Sequence, residues 1–586
     1  MMSVKKATLL TLVFTFILFF ICPLTLSQKL GANYAHQEKQ EIPKPTYAVE
    51  VIVTNADVFV TDKTGRRVTG LRPENFQIYE DGLRQTLTNF YEVKGREVYS
   101  SSLDKEKEQH LQRPELLARK PAQTQNKIIL YFDNWHLHPM NRNWSIKKLE
   151  FFIKNNFSAE IMNNLGMVVS LDQKLEILQD FTSSQGELLR ALDKIKGRSS
   201  QSLMRQKDRE DLRKELNRMI TESTGLNKYD NYERAIGLAR NYVEADQNDL
   251  FYSIKSLNAF VDYLLGIEGK KILIYVSDGL PLNPGEEAFG AIDWAFPQGN
   301  ARSESMNYDA TRSFKELTTR ANSNEIALYP INAQGLESLI LSADQERGWE
   351  TYSRGSGMTK PGSRATNEAL KLMANDTGGL AILNTNDINS GLEKIENDLQ
   401  FYYSLGYVSP DREDSKYHSI EVKIVGVNED YDFRVRHGYL RVSQEEKIKE
   451  SVFSRLFLKR NYNPMEIMAQ MMPLEKIPGS ENLRLTIKFL IPIKKITLLP
   501  RQDDYFGQIK VYIALVDQNG LVSPSYELSE EIKIPKKDYA VALSSSYPYY
   551  SEMNVRPSYY TFSLAVKDVL GETVNYLQFE REIHLD

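Results

Sequence analysis

Between residues 127 and 384, short unbroken apolar runs alternate with longer amphipathic stretches. The runs are Ile128 to Phe132, Met167 to Leu171, Leu175 to Leu178, Ile272 to Val276, Ile326 to Ile331 and Leu380 to Leu383. Rich in β-branched and aromatic residues and lacking a polar alternation, they have the pattern of strands buried on both faces. The stretches Trp144 to Phe157, Gly186 to Ile195, Tyr252 to Leu265, Thr311 to Ala321, Asn367 to Ala374 and Ile388 to Leu399 carry apolar residues at helical spacing. Strands and helices in alternation predict a mostly parallel sheet with helices on both faces. Residues 198–249 are also helical in pattern but exceed what one crossover needs, so an insertion is expected there.

The flanks follow a different period. Val49 to Val60, then Phe76 to Glu80, the turn pair Asp81-Gly82, and Gln85 to Phe90 predict a small antiparallel β unit. After residue 400, Phe401 to Val408, His418 to Val425 and Asp432 to Leu440 are strand-like, and Val452 to Met472 reads as a helix. Leu483 to Leu490, Ile509 to Leu515, Ile532 to Ile534, Tyr560 to Val566 and Gln578 to Ile583 alternate apolar and polar positions, predicting a terminal β-sandwich.

A chain of 586 residues exceeds one core. The expected division is 1–27 signal peptide, 28–47 linker, 48–100 N-terminal β unit, 101–126 linker, 127–400 α/β domain, 401–445 closing strands, and 446–586 helix plus β-sandwich. Lys5 and Lys6, the apolar run Ala7 to Ile21, Pro23 and then Thr25-Leu26-Ser27 have the order of a secretory leader. Localisation is therefore expected to be secreted or periplasmic, with an uncleaved N-terminal membrane anchor as the alternative. The one cysteine, Cys22, lies in this leader behind Phe20-Ile21, which argues against a lipid anchor. A cleaved chain would hold neither disulfide nor thiolate metal site.

Charge excludes little but points away from nucleic acid. Basic and acidic residues number 73 and 78; without Lys5 and Lys6 the formal charge is −7. The densest charged stretch, Arg205 to Arg218, alternates in sign, as a solvated helix face does.

Candidate chemistry begins at two strand ends. Ile128 to Phe132 runs into Asp133, and Lys271 to Ser277 runs into Asp278-Gly279. In parallel α/β sheets, ligands bind beyond the carboxyl ends of the strands, so both carboxylates are delivered to the expected ligand face. Other uses for them are helix caps or loop hydrogen-bond acceptors.

Several separated phrases, in order, resemble the von Willebrand factor type A domain, in particular the von Willebrand A-related proteins abundant in acidobacteria. They are Val51-Ile52-Val53-Thr54 through Val68 to Phe76, Tyr79-Glu80-Asp81-Gly82, Ser277-Asp278-Gly279, Tyr402 to Tyr407, and Arg436-His437-Gly438-Tyr439-Leu440. The resemblance implies an α/β fold: a Rossmann-like von Willebrand A domain flanked here by antiparallel β domains. It also implies a metal-ion-dependent adhesion site, where an aspartate and two serines, a threonine and a second aspartate hold Mg²⁺ or Mn²⁺ and a partner's carboxylate completes the shell. Hard oxygen ligands with one position open suit that role. Asp133 and Asp278 match the two aspartates. Trp135 and Leu137 stand where the serines belong, and Thr224 before Gly225 is the substitute for the threonine. The site is thus expected to be degenerate, with Asn134, Asn141 or Ser277 as further oxygen donors and Mg or Mn as the candidate ion.

No catalytic constellation emerges. His136 and His138 invite a zinc reading but lack a third histidine nearby, with His110, His418 and His437 scattered over other units. Arg354-Gly355-Ser356-Gly357 lacks the strand-to-helix setting of a nucleophile elbow, and Gly362 and Gly378-Gly379 form no phosphate cradle. Tyr547, Tyr549, Tyr550, Tyr559, Tyr560, Trp294 and Phe296 are either core packing or an exposed aromatic surface. The leading expectation is an exported non-enzymatic interaction or adhesion-type protein with a protein or cell-envelope partner. A carboxylate- or metal-dependent hydrolase and a structural envelope component are the alternatives.

Overall fold

The computed structural model describes residues 53–95, 97–100, 126–157, 164–222, 228–264, 267, 270–297, 299–335, 361–409, 416–427, 431–441, 443–456 and 462–584. The leader with Cys22, the linker 28–47, most of the linker 101–126, His110, Thr224 and the Arg354 to Gly357 loop lie outside these residues.

In chain order the first strands are β1 (Val53–Thr61), β2 (Phe76–Glu80), β3 (Leu83–Gln85), β4 (Leu87–Lys94) and β5 (Glu97–Ser100). The α/β portion follows: β6 (Lys127–Asp133), α1 (Pro139–Asn156), β7 (Leu165–Leu171), β8 (Leu175–Thr182), α2 (Gln185–Lys196), α3 (Ser202–Thr221), α4 (Lys228–Tyr263) and β9 (Lys271–Ser277). It continues through α5 (Glu286–Ala295), α6 (Ala301–Ser305), α7 (Thr311–Ser323), β10 (Ile326–Asn332), α8 (Pro361–Thr377) and α9 (Ile388–Gln400). Next come β11 (Phe401–Val408), β12 (Tyr417–Ile424), β13 (Asp432–Arg434), β14 (Gly438–Leu440) and α10 (Gln444–Arg455).

The central sheet has the order β10-β9-β6-β7-β8, parallel except for β8, which pairs antiparallel with β7. Side chains alternate along β6, so Ile129 and Tyr131 pack under α4, α7 and α8, while Ile128, Leu130 and Phe132 pack against α1, α2 and α9. This double burial is why the strand runs are continuously apolar. The edge strand β8 is only partly buried and correspondingly polar, with Glu176, Gln179 and Asp180 along it. Leu380 to Leu383, expected as a strand, contributes an isolated parallel bridge between Ile331 and Ile382.

The expected helix from Tyr252 to Leu265 is the last part of α4, which runs for 36 residues without interruption out of the insertion. Buried Ala235, Ile236, Ala239 and Val243 pack its first half against Phe289 and Ile292 of α5, so the insertion has a core of its own.

The strands on either side of the α/β portion do not form separate units. β11 lies between β1 and β4, while β12 lies between β14 and β2. The two sheets, β13-β1-β11-β4-β5 and β14-β12-β2-β3, enclose one core of Ala56, Val58, Ile78, Phe90, Tyr403, Leu405 and Val422. The expected division at 48–100 and 401–445 is thereby redrawn as a single sandwich built from both ends of the central domain.

Val452 to Met472 is not one helix. α10 ends at Arg455, and the chain turns into β15 (Met468–Met471) beyond Pro464, whose ring and missing N–H cannot continue a helix. The C-terminal strands are β16 (Glu475–Lys476), β17 (Leu483–Pro492), β18 (Leu499–Arg501), β19 (Asp504–Asp517), β20 (Tyr526–Pro535), β21 (Ser546–Val555), β22 (Ser558–Asp568) and β23 (Val574–Ile583). β17 pairs with β21 in one sheet, β19 is flanked by β20 and β22 in the other, and Leu485, Ile487, Phe489, Val511, Ile513 and Leu564 fill the space between. The β21 strand was hidden in sequence by its tyrosines and Pro548. Among the described residues, no helix is long and apolar enough to cross a membrane.

The seam between the first sandwich and the α/β portion centres on Asp398 of α9, which is 0% exposed. It pairs with Arg67, accepts from Arg434 Nη2 at 2.7 and 2.8 Å, and takes the Tyr329 hydroxyl of β10 at 3.1 Å. Burial and the neighbouring Arg434 lower Arg67 to about 10. Asp398→Ala leaves two arginines without their buried counter-charge and is expected to cost about 3–5 kcal/mol in equilibrium urea unfolding. Limited proteolysis of the same variant should cut first in 53–100 or 416–441, since both segments lose their anchor to α9.

Candidate functional site

The first loop at the carboxyl end of the sheet runs from Asp133 to His138. Strand alternation turns Asp133 toward α4, where it is completely buried. Its Oδ2 accepts the Tyr275 hydroxyl and lies 3.1 Å from His136 Nδ1, while its Oδ1 accepts the His136 backbone N–H at 3.3 Å. Burial alone would raise this carboxyl; attraction to His136 and hydrogen bonds from His136, Tyr275 and Ser253 outweigh it and hold the group below its usual range. His136 Nδ1 also lies 2.9 Å from Ser253 Oγ. Serine and aspartate thus meet the same ring nitrogen, whereas a hydrolytic triad needs them on opposite nitrogens.

Asp278 follows β9 and is half-buried. His138 caps α1, its backbone N–H donating to Asp278 Oδ2 at 2.8 Å and its Nδ1 accepting from the Met140 N–H at 3.2 Å. Asn141 Nδ2 lies 3.0 Å from both Asp278 oxygens. The carboxylate therefore ties the start of α1 to the end of β9, where helix N–H groups favour an acceptor. Burial is the main influence on it and, with Asp133 near, lifts it to about 7 despite the donors from His138 and Asn141. Gly279 then turns with φ +93°, and a Cβ there would stand 2.7 Å from Thr366 Cβ.

The positions between these carboxylates serve the insertion. Trp135 Nε1 donates to Asp249 Oδ1 at 3.1 Å, and its ring stands 4.9 Å from Tyr252, both on α4. Arg205 of α3 lies over the same indole at 5.4 Å and pairs through Nε with Asp249 Oδ2 at 2.9 Å. Leu137 is buried among α1 and sheet side chains; its carbonyl lies 2.7 Å from Ser200 Oγ and 3.2 Å from Ser202 Oγ at the start of α3. Asn134 Nδ2 donates to Ser170 Oγ and Asp172 Oδ1, both at 2.9 Å, and Arg198 pairs with Asp172 and Glu176. The first loop is thus roofed by the helices it anchors.

Asn134 Oδ1 is buried without a hydrogen-bond partner among the described residues, but the other candidate ligands are engaged, so the residues present do not make an octahedral site for magnesium or manganese. Both oxygens of Asp133 and both of Asp278 already face donors, Asn141 presents its amide N–H₂ to Asp278, and Ser277 Oγ is held by the Gly279 N–H at 3.1 Å. Trp135 supplies no oxygen, and Leu137 supplies only a carbonyl occupied by serine hydroxyls. An octahedral shell of oxygens would have to dismantle these contacts. His136 and His138 likewise face different partners, the buried aspartate and a helix end, so they form no zinc pair.

The aromatic residues divide between interior and surface. Phe296 and Tyr549 are buried, Tyr547 donates to Glu530 at 2.7 Å, and Tyr560 packs against the terminal core. Trp294, Tyr550 and Tyr559 remain exposed, on different elements. Sequence reading missed Ser253, Tyr275, Asp249 and Arg205 as partners of the first loop. Tyr275 was accessible in principle, since it lies two residues before Ser277 on the same strand face.

With the acid form of Asp278 favoured in the fold and an unfolded value near 3.8, its contribution to stability is full below about pH 4 and is lost as pH rises through about 7. Asp278→Asn should lack that slope. Comparing thermal unfolding at pH 5 and pH 8, the variant is expected to gain on the order of 1–2 kcal/mol on the parent at the higher pH, part-exposure reducing the full linkage. Trp135→Phe, which keeps the ring but removes the bond to Asp249, should cost about 1 kcal/mol. Trp135→Ala should in addition make α3 the first site of limited proteolysis while the circular dichroism of the sheet is retained.

No protein-family model matches the chain, and no curated protein matches it. Solved structures similar to it include an aerotolerance-related membrane protein from Bacteroides fragilis, 11% identical, over 47% of this chain and 98% of that one with a TM-score of 0.23. A von Willebrand factor type A protein from Catenulispora acidiphila is 7% identical over 85% of this chain and 74% of that one, with a TM-score of 0.21. Three N-terminal domains of the type V pili tip protein Mfa5 from Porphyromonas gingivalis are 11% identical, over 75% of both chains with a TM-score of 0.24.

Proposed function

We propose that this chain is an exported, non-enzymatic interaction protein whose von Willebrand A-like domain offers its upper loops, roofed by α3 and α4, to a protein or cell-envelope macromolecule. The adhesion-type cation site is degenerate, and binding does not depend on a metal at Asp133 and Asp278. One observation carries this reading: the carboxylates at the two strand ends are spent on internal donors, and Trp135, standing where a hydroxyl ligand would be needed, holds the insertion through Asp249, Arg205 and Tyr252. Export rests on the charged, apolar and small-residue order of residues 1–27.

Calorimetric titration of Mg²⁺, Mn²⁺ and Ca²⁺ into the mature chain, with Asp278→Asn and Asp133→Ala alongside, tests the proposal. No saturable heat attributable to these aspartates is expected at millimolar metal. Binding of one equivalent that both substitutions abolish, in folded variants, would overturn metal independence. Turnover of peptides, esters or glycans that either substitution removes would overturn the non-enzymatic reading.

A further inference from the structure

A second group of ionisable side chains lies in the first sandwich, away from the carboxyl ends of the central sheet. Glu80 closes β2, Asp81 opens the turn into β3, and His418 belongs to β12. Ile420 stands opposite Glu80 in the antiparallel register, so His418, two residues earlier, faces the same side of the sheet as Glu80. His418 Nδ1 lies 2.8 Å from Asp81 Oδ2 and 3.9 Å from Glu80 Oε1, and one ligand atom from each of the three falls within 4.8 Å of the others. Glu80 and His418 are each 4% exposed, while Asp81 opens the group to solvent.

The supporting contacts orient these groups. The Ser419 backbone N–H and hydroxyl hold Asp81 Oδ1 at 2.8 and 3.2 Å. The Ser409 hydroxyl lies 2.8 and 3.0 Å from the Glu80 oxygens, and the Tyr439 hydroxyl donates to Oε2 at 3.2 Å. Tyr407 is completely buried and its hydroxyl is aimed at Glu80: burial first, then hydrogen bonding with Glu80 and the Glu80 charge raise that phenol. The hydroxyl has no close hydrogen-bond contact among the described residues, so it can still partner a water or ion bound beside that carboxylate.

We propose that Glu80, Asp81 and His418 form a binding site for a divalent transition-metal cation of the zinc class, with three protein ligands and the fourth position open to solvent beside Asp81. One imidazole nitrogen and two carboxylates are a mixed donor set that suits zinc and its neighbours, whereas magnesium and calcium take oxygen shells. At metal–ligand distances of about 2.0–2.2 Å, tetrahedral ligands stand roughly 3.3 Å apart. The 2.8 Å separation would open and the 3.9 Å one would close by about half an ångström each, with the ion replacing the imidazole proton. Ser409, Tyr439 and Ser419 then hold the ligands from behind. The bound ion would join β2 to β12, strands that the α/β portion separates in sequence.

The test is titration of ZnCl₂ and MgCl₂ into the untagged full chain by calorimetry and thermal unfolding, with Asp81→Asn and His418→Gln as variants. One equivalent of Zn²⁺ is expected, raising the unfolding temperature, with affinity falling at least about tenfold in each variant. Asp81 is exposed, so its variant retains the fold; metal-free unfolding equal to the parent's verifies this. Absence of Zn²⁺ binding, an affinity unchanged in Asp81→Asn, or Mg²⁺ binding as tightly at the same residues would each overturn the assignment.

Discussion

The whole arrangement depends on one buried carboxylate, Asp398. It sits two residues before the end of α9, where the chain leaves the α/β portion for β11, and it gathers Arg67 from the segment after β1, Arg434 from β13 and Tyr329 from β10. Burying an ion is costly, and only convergent counter-charges and hydrogen bonds offset the desolvation. Those partners come from before, within and after the α/β portion. The carboxylate is satisfied only when the sandwich is closed across both chain segments and seated on the central sheet.

The same economy governs the loops above the sheet. Asp133 and Asp278 both stand at the carboxyl ends of strands, and the loop after Asp133 carries an indole at Trp135 and a leucine at Leu137. Leu137 goes into the core, and Trp135 recruits α3 and α4. Once the insertion is seated there, the carboxylates serve the protein's own termini: Asp133 closes a His136, Tyr275 and Ser253 cage, and Asp278 receives the start of α1. The two carboxylates are therefore held by internal donors at the ends of the strands that carry them.

What could be read in sequence follows from the range of the forces involved. β6, β7, β9 and β10 were legible because burial on both faces writes an unbroken apolar run. The pairing of β11 with β1 and β4 was not, because Leu405 meets Ala56 and Phe90 across more than 300 residues and no local pattern records the partner. Val452 to Met472 read as a helix because its apolar residues kept helical spacing up to Pro464, beyond which β15 pairs with β17. At the site, the aspartates were legible from their place after the strands. Their partners were not, because Asp249 and Ser253 lie in α4 more than 100 residues away and become neighbours only when the insertion folds back.

The seams between the parts of the molecule carry buried charges beside their apolar contacts, as where Ile448 and Val452 of α10 pack on Tyr512, Ala514 and Ala565 of the terminal sandwich. Lys270 pairs with Asp57 at 3.0 Å and lies over Tyr402 at 3.7 Å; Asp376 of α8 takes Lys315 and Thr318 of α7 and meets His437, the residue that leads into β14, at 3.4 Å. Arg455, fully buried at the end of α10, stacks 3.9 Å from Tyr576 of the terminal sandwich and 5.2 Å from Tyr263 at the end of α4. An apolar seam tolerates sliding, because any overlap of greasy area is nearly as good as another. A seam made of buried ions and directed hydrogen bonds has one satisfied registry, and leaving it strands a charge.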